Sequence, residues 1–354
     1  MLAKAMMERY FCSMDELTKF VDNQKKPESE IKTFTSRIRY ALMLGLKEKE
    51  IFFFGLLQLL VIMVGFVLWL QLLNWIPQDI WNDVQACEDR GDDDCAALID
   101  IALFFWGMAI VPIVVFPIGI LSCSIGTTHF LVSRNEESTV LKCLNASFSN
   151  AWAIWKFHAI DGYITIIRIL DRLPSEDDHR TPAQIALEEA AYYAWKVGTA
   201  GMVPNLILGN KLKPSGKSSL NFVKSKFKEV ASLRGAYSSI CWVIAILSFI
   251  GAIILPYFAY EITIYIGGTI TVVFYTLMII PICFATLLVV VVLRPLYIIS
   301  ICDLYSDYLE ENKEQVQLPD NPSKGRSALI TFVILLMVLI FLSSFGSDIL
   351  EFTA

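Results

Sequence analysis

The sequence predicts an all-α polytopic membrane protein, with about five to seven transmembrane helices and with amphipathic interfacial or re-entrant helices between them. The chain has 354 residues, of which 55% are hydrophobic and 18% are charged, and its mean hydropathy is +0.56. Soluble domains carry about 25% charged residues. Residues 262–293 form an uncharged run of 32 residues, well beyond the ~20 that cross a bilayer. Secreted soluble, fibrous and disordered classes are therefore excluded.

Five segments are apolar enough to cross the membrane, and the only charge within them is Asp100, near the start of the second. The fourth, which follows Glu261, is longer than one perpendicular crossing. A tilt, or breaks at Gly267-Gly268 and Pro281, would absorb its excess length. The predicted spans are Ile51 to Leu73, Leu98 to Leu121, Ser238 to Tyr260, residues 262–293, and Ala328 to Phe345.

The distribution of charge predicts the orientation of these spans. Of the 29 Lys and Arg residues, 28 lie in alternate segments between the spans, and the exception is Arg90. The loop 74–97 instead carries seven acidic residues. The positive-inside rule therefore places the N-terminus in the cytoplasm and the C-terminus outside. Residues 1–22 mix charged with apolar residues, so we expect no cleavable signal peptide.

We divide the chain into four parts on this basis. The first and third parts hold 24 of the 29 cations and are predicted to be cytoplasmic. The parts are an amphipathic arm (1–50), a first transmembrane hairpin (51–133) with the acidic outside loop 74–97, a cytoplasmic and interfacial helical region (134–237), and the C-terminal transmembrane helices (238–354) with a cytoplasmic loop at 303–327.

The N-terminal arm has the pattern of a docking helix. Five large residues recur at spacings of three and four, which places them on one helix face; they are Met7, Tyr10, Met14, Leu17 and Val21. This face is expected to pack either on the chain's own middle region or on a partner subunit.

Residues 31–42 predict an interfacial helix that leads into the first span. Its apolar stripe and its cations lie on opposite faces, with Ile31, Phe34, Ile38 and Leu42 on one and Lys32, Arg37 and Arg39 on the other. An interfacial helix of this kind buries the stripe and leaves the cations in water.

Two half-apolar segments, 148–170 and 190–208, flank the polar linker 173–182. Four ionisable residues in the first segment argue against a lipid-exposed span; they are Lys156, His158, Asp161 and Arg168. The second segment has one charge, Lys196, and a break at Gly198, Gly201 and Pro204. Such a pair forms either a hairpin that dips into the membrane or two further crossings, and we favour the hairpin.

A basic amphipathic helix follows this pair. Its apolar positions are Leu220, Val223, Phe227 and Val230, and the opposing cations are Lys217, Lys224, Lys226 and Lys228. We expect these four lysines to contact anionic lipid headgroups, each contributing about 1 kcal/mol near the surface. No nucleic-acid partner is expected, because the helix has no exposed aromatic platform.

The stretch 191–240 carries an ordered set of short motifs. A Trp-led apolar segment ends in Val-Pro and is followed by a polar turn, an amphipathic helix containing Lys-Ser, and a membrane span. These pieces are Trp195, Val203-Pro204, Lys211 to Gly216, Lys224-Ser225 and the span from Ser238. The set resembles the signature of an uncharacterised bacterial family of multi-pass membrane proteins.

The preceding stretch, Phe130 to Ile160, is also similar to that family, so the resemblance covers about 134–260. The chain departs from the family's usual acid followed by Gly-Pro, because it has Gly209-Asn-Lys-Leu-Lys-Pro214 there. The resemblance implies about six membrane helices, a bacterial inner membrane and no known activity. It also implies that 190–208 spans or nearly spans the membrane, contrary to the hairpin.

Motifs of catalysis and metal binding are absent from the sequence. The three histidines, His129, His158 and His179, have no metal-type spacing to one another or to Cys. No nucleophile elbow, phosphate-binding loop or dinucleotide fingerprint occurs. We therefore expect no catalytic residue, no metal site and no cofactor, and we expect that the protein is not an enzyme.

The outside loop contains two of the eight cysteines, Cys87 and Cys95. A disulfide between them is expected in an oxidising compartment. The acidic run 88–94 between them could attract Ca²⁺, but it lacks the alternating ligand spacing of an EF-hand loop. A solvated acidic loop is the favoured interpretation.

The predicted spans contain few of the polar groups that ion-coupled transport requires. We therefore expect a non-catalytic integral membrane subunit, scaffold or assembly factor of an inner-membrane complex. Its expected partners are membrane lipids and either other membrane subunits or a second copy of the chain. The alternative is a passive channel or a lipid-handling membrane protein.

Overall fold

A computed structural model of the chain describes residues 28–74, 86, 111–170, 181–266, 269–313 and 318–319, with scattered positions between 326 and 337. Every element in these ranges is helical, which confirms the predicted all-α class. The α-helices are α1 (Glu28–Lys47), α2 (Lys49–Asn74), α3 (Val111–Ser133), α4 (Val140–Phe148), α5 (Ala151–Leu170), α6 (Pro182–Gly198), α7 (Met202–Ile207), α8 (Leu212–Ser225), α9 (Phe227–Ile254), α10 (Ala259–Ile266), α11 (Ile270–Leu287) and α12 (Arg294–Glu311).

Among these helices, four stretches are long and apolar enough to cross a membrane, which indicates a membrane protein. They are Lys49–Gln71, Val111–Ser133, Phe227–Ile264 and Ile270–Glu311. The first, third and fourth overlap predicted spans. The second overlaps the end of the predicted span Leu98 to Leu121 and continues beyond it to Ser133. Most of the predicted span Ala328 to Phe345 lies outside the described residues.

The centre of the bundle is α3, which packs on α2, α4, α5, α7 and α12. Its hydroxyl side chains are buried and donate to carbonyls four residues earlier, as Ser124, Thr127 and Thr128 do at 2.9, 2.9 and 3.1 Å. Small residues let the neighbours come close. A Cβ on Gly126 would lie 2.5 Å from Ile207 Cδ1 and 2.9 Å from Cys302 Sγ.

Helices α9 and α11 form a hairpin that packs mainly on itself, with Gly251 against Pro281. No residue of α11 is buried. Of the two breaks predicted to shorten the run 262–293, Pro281 does not break α11, because membrane helices tolerate the missing N–H. The other, Gly267-Gly268, lies outside the described residues. A π-helical segment, Leu288–Leu293, instead joins α11 to α12.

Helix α1 packs on α12 and α9, but its faces differ from the predicted ones. Ala41 and Leu44 are buried, whereas Leu42 of the predicted apolar stripe is 41% exposed. Arg37, predicted on the solvated face, is buried to 11% side-chain exposure. The placement of Arg37 was wrong because α12 supplies carboxylates for it, which hydrophobic spacing along α1 cannot reveal.

The predicted basic amphipathic helix is divided in two. A bend at Lys226 separates α8 from α9. The apolar face of α8 packs on the protein, with Phe222 fully buried and its ring 5.1 Å from that of Tyr305. The predicted loop 303–327 likewise begins as helix, since α12 continues to Glu311.

Candidate functional site

Helices α5 and α6 are joined by an internal ion pair. Asp161 Oδ1 accepts from Lys196 Nζ at 2.7 Å and from Trp195 Nε1 at 3.0 Å. Lys196 also donates to Thr165 Oγ1 at 2.8 Å. Its ammonium lies 5.5 Å from the centroid of the Tyr192 ring. Lys196 and Trp195 of α6 thus hold the carboxylate of Asp161 on α5.

A second bridge joins α5 to α6 near the linker. Arg168 donates to Glu188 at 3.1 Å and to Glu189 at 2.7 Å. The Arg168 side chain is 8% exposed, but the two carboxylates are about two-fifths exposed. Solvent therefore weakens this bridge. Of the four ionisable residues noted in this segment, the two bridges place Asp161 and Arg168 in ion pairs. Lys156 and His158 take part in neither bridge.

The ring of His158 packs on α3. A Cβ at Gly119 would lie 2.8 Å from its Cγ and Nδ1, so glycine is needed there. Nδ1 lies 3.0 Å from the carbonyl oxygen of Ile154. Because a carbonyl only accepts, Nδ1 carries the proton.

Three helices meet at Ser122 of α3. Its hydroxyl donates to the Ile118 carbonyl at 2.8 Å and accepts from Gln58 Nε2 of α2 and from an Arg294 Nη of α12, both at 3.1 Å. Gln58 is fully buried, and its Oε1 has no partner among the residues described. Ser122 therefore uses all its hydrogen-bonding capacity to hold an amide and a guanidinium inside the bundle.

A pair of tyrosines borders this junction. The rings of Tyr237 (α9) and Tyr297 (α12) lie 4.8 Å apart at an angle of 30°. Arg234 covers both rings, with Cζ 5.5 and 5.7 Å from their centroids. We call Gln58, Ser122, His158, Asp161, Lys196, Arg234, Tyr237, Arg294 and Tyr297 the polar layer. Its cations are Lys196, Arg234 and Arg294, and its one carboxylate is Asp161.

A second charged cluster fixes α1. Arg37 donates to Asp303 at 2.6 Å and to Asp307 at 2.5 Å, and it lies 3.5 Å from Glu229 of α9. Burial works to lower the pKa of Arg37, but the hydrogen bonds and charges of Asp307 and Asp303 outweigh it, and the pKa is raised. The guanidinium stays charged and ties three helices together.

Polar side chains also cross the interior beside this cluster. His129 is 1% exposed and lies between Tyr40 Oη at 3.3 Å and Ser306 Oγ at 3.4 Å. Tyr305 donates to the buried Asn205 Oδ1 at 3.0 Å. These bonds join α1, α3, α7 and α12, so the interior of this half of the molecule is extensively hydrogen-bonded.

The predicted lipid-contact lysines do not form one surface. Lys217 and Lys224 are exposed, whereas Lys226 pairs with Glu311 at 2.6 Å. Lys228 is half-buried. Lipid contact by these residues stays a prediction. The partner-contact residues Met7, Tyr10, Met14, Leu17 and Val21, and the disulfide pair Cys87 and Cys95, lie outside the described residues.

The arrangement suits binding and structural locking. Within the described ranges, no three of His, Cys, Asp and Glu come together as a metal site. The thiol of Cys143 lies 3.4 Å from Thr128 Oγ1, and burial raises its pKa to about 11, with Thr128 opposing. Such a thiol is protonated at neutral pH and reacts slowly.

Sequence reasoning missed the polar layer because its members come from six helices. Arg294 lies directly after the predicted span 262–293. Two signals could have pointed to the layer: Gln58 within an otherwise apolar span, and Arg294 directly after a 32-residue uncharged run. Intramembrane polar residues of this kind mark functional positions.

Comparisons with protein-family models, curated proteins and solved structures gave no match. The resemblance of residues 191–240 to an uncharacterised membrane-protein family therefore stays a prediction.

Proposed function

We propose that the chain is a non-catalytic integral membrane subunit, scaffold or assembly factor of an inner-membrane complex. The observation that carries this proposal is the bare surface of the α9–α11 hairpin. Phe249, Leu247 and Phe284 are 67, 62 and 66% exposed. A helix pair of this kind presents two long apolar faces to the bilayer, where a partner's helices can pack.

The rest of the molecule supports a binding role. Charged groups that would serve chemistry are engaged with one another, as Arg37 is with Asp303 and Asp307. Their effect is to fix α1 and α12 together. A rigid body that carries an unpartnered helix pair is suited to holding another membrane subunit or a second copy of the chain, since such association depends on packing.

The proposed topology has five to seven crossings, with α1, α8 and the N-terminus in the cytoplasm and the C-terminus outside. The hairpin of α5 and α6 is proposed to re-enter the membrane rather than span it. Its support is the pairing of Asp161 with Lys196 and of Arg168 with Glu188, because paired charges face each other instead of lipid.

Gentle extraction with mass spectrometry tests the proposal. We expect the native chain to co-purify with another membrane protein or a second copy, and Phe249→Ala with Phe284→Ala to weaken that complex at least tenfold. The matched control is Phe53→Ala with Phe66→Ala on the exposed face of α2, which should leave the complex intact. A chain that stays alone and conducts ions or moves lipid in vesicles contradicts the proposal.

Cross-linking in the membrane provides an independent measurement. Cys283 is exposed on α11, so a short bis-maleimide should join it to a second copy if the hairpin self-associates. A Cys283→Ser chain is the control. If a heteromeric complex is purified and Cys283 gives no homodimer, the partner is a different subunit.

The second candidate is a passive channel or lipid-handling protein. The polar layer favours it, because three cations and one carboxylate lie among apolar helices. Reconstitution in vesicles, as above, separates it from the scaffold.

A further inference from the structure

We propose that Arg294 binds the phosphate of a membrane phospholipid, whose headgroup enters between α5 and α9. The site lies on the side of the membrane where α1 and α8 are found. The inference does not depend on the scaffold function, since a subunit, a channel or a lipid carrier could all hold a lipid there.

The first argument is the unused hydrogen-bonding capacity of Arg294. Its guanidinium donates one hydrogen bond, to Ser122. No carboxylate of the described chain lies within 4.0 Å of it, although Arg37, Arg168 and Lys196 each have one. A guanidinium has five N–H donors. A cation this poorly compensated inside a helix bundle is costly unless an anion joins it.

Asp161 acts on Arg294 only from beyond 4.0 Å, because it forms its ion pair with Lys196. Asp161 Oδ1 is already shared by Lys196 and Trp195. The pair Asp161–Lys196 is neutral, so Arg294 and Arg234 leave the polar layer with two uncompensated positive charges. Both arginines lie one helical turn from the stacked tyrosines, Arg234 before Tyr237 and Arg294 before Tyr297.

The depth of Arg294 fits a phosphate. Helix α11, from Ile270 to Leu287, rises by about 27 Å at 1.5 Å per residue, and the π-helical segment adds further length before Arg294. The hydrocarbon core is about 30 Å thick, which puts Arg294 at one headgroup layer when Ile270 lies at the other. The tyrosines agree, because Tyr237 of α9 and the 82% exposed Tyr257, in the 3-10 segment Leu255–Phe258 that follows α9, are about 20 residues apart, a separation that suits the two interfacial aromatic belts.

The part of α9 that continues from the site is bare. Helix α9 packs on α1, α6, α8, α11 and α12, and its part beyond Ser238 has no buried residue. The side chains of Asp161 and Lys196 remain 26 and 13% exposed. A headgroup can therefore reach Arg294 from the bilayer while its acyl chains lie along the bare face of α9.

The chemistry of the occupant follows. A guanidinium fork matches phosphate oxygens in two parallel bonds, and basic recesses between membrane helices hold phosphorylated headgroups. Free phosphate offers the same oxygens, but it has no apolar part to cover α9. The occupant is therefore the phospholipid.

Native mass spectrometry of the full chain in mild detergent tests this. We expect one tightly held phospholipid, retained after washing, and a loss of about tenfold or more in its occupancy in Arg294→Gln. Arg294→Lys keeps the charge and should lose less. Arg39→Gln, which removes an exposed cation of α1, is the matched control and should retain the lipid. Equal occupancy in Arg294→Gln and the native chain overturns the proposal.

A second measurement uses only the native chain, in case Arg294→Gln fails to fold. A phospholipid with a photoreactive headgroup should label peptides from 151–170, 227–254 and 294–311, and added phosphate should not compete. Labelling confined to other peptides, or labelling abolished by inorganic phosphate at millimolar levels, overturns it as well.

Discussion

The helices around α3 and the hairpin of α9 and α11 are both apolar, yet they end up in opposite environments. In the membrane-length window of α3, 61% of residues are buried inside the protein, whereas in that of α9 none is. Side-chain size distinguishes them. Helix α3 has Gly119, Ser122, Gly126 and Thr127 on its faces, whereas the part of α9 beyond Ser239 consists mainly of large aliphatic and aromatic residues and has one hydroxyl residue, Ser248.

This difference shows what organises the molecule. In lipid, apolar surface gains little by meeting other apolar surface, so close packing and hydrogen bonds decide which helices associate. Small residues permit close packing, and hydroxyl groups supply hydrogen bonds. Helix α3 has both along its length and becomes the centre, whereas the part of α9 beyond Ser239 uses its small Gly251 against α11 and otherwise remains bare.

The largest effect should come from a phenylalanine in the packed body. Phe54 of α2 is fully buried, so Phe54→Ala should lower the free energy of unfolding by about 3 kcal/mol through lost packing. Phe249→Ala on α9 should change that of the isolated chain by about 0.5 kcal/mol or less. Thermal unfolding in detergent measures both, and similar losses would break the contrast between the regions.

The next effect concerns the charged cluster that fixes α1. Arg37→Gln leaves Asp303 and Asp307 without their cation, and we expect a loss of about 2 kcal/mol, since these carboxylates are 24 and 46% exposed rather than fully buried. Proteolysis within α1 should accelerate accordingly. Arg39→Gln on the exposed face is the control, and equal rates for the two variants would contradict the role given to Arg37.

The smallest effect sharpens the account of close packing. Gly126→Ala places a methyl group against Ile207 and Cys302 and should cost about 1 kcal/mol, because part of the clash is with a flexible side-chain end. Gly216→Ala in α8 meets open space and should be neutral or slightly stabilising. Equilibrium unfolding of the two variants side by side gives the comparison, and a neutral Gly126→Ala would show that small residues do not set the centre.

Hydropathy was sufficient to predict the helical class and the apolar stretches, because both depend on local composition. The break at Gly198 and Gly201 was also predictable, since glycine acts locally: α6 ends at Gly198, and α7 begins at Met202. Pro204, predicted as part of the break, lies inside α7. The burial of Arg37 was not predictable from the sequence, because its partners, Asp303 and Asp307, lie more than 260 residues away along the chain. The junction at Ser122 escaped for the same reason, as serine in a span gives no sign of which helices it will join.

The π-helical segment Leu288–Leu293 changes the direction in which the side chains after it point. Each residue of an α-helix turns the chain by about 100°. In a π-helix the backbone hydrogen bonds span five residues instead of four, so each turn contains more residues than an α-helical turn. Gly55 of α2 lies against this segment, where a Cβ would come within 2.9 Å of Val291 Cα. The direction in which Arg294 points from α12 is therefore set by this change of helical phase inside the membrane. As a result, the two halves of one long helix present different surfaces. The half before the segment faces lipid, and the half after it is interior and polar.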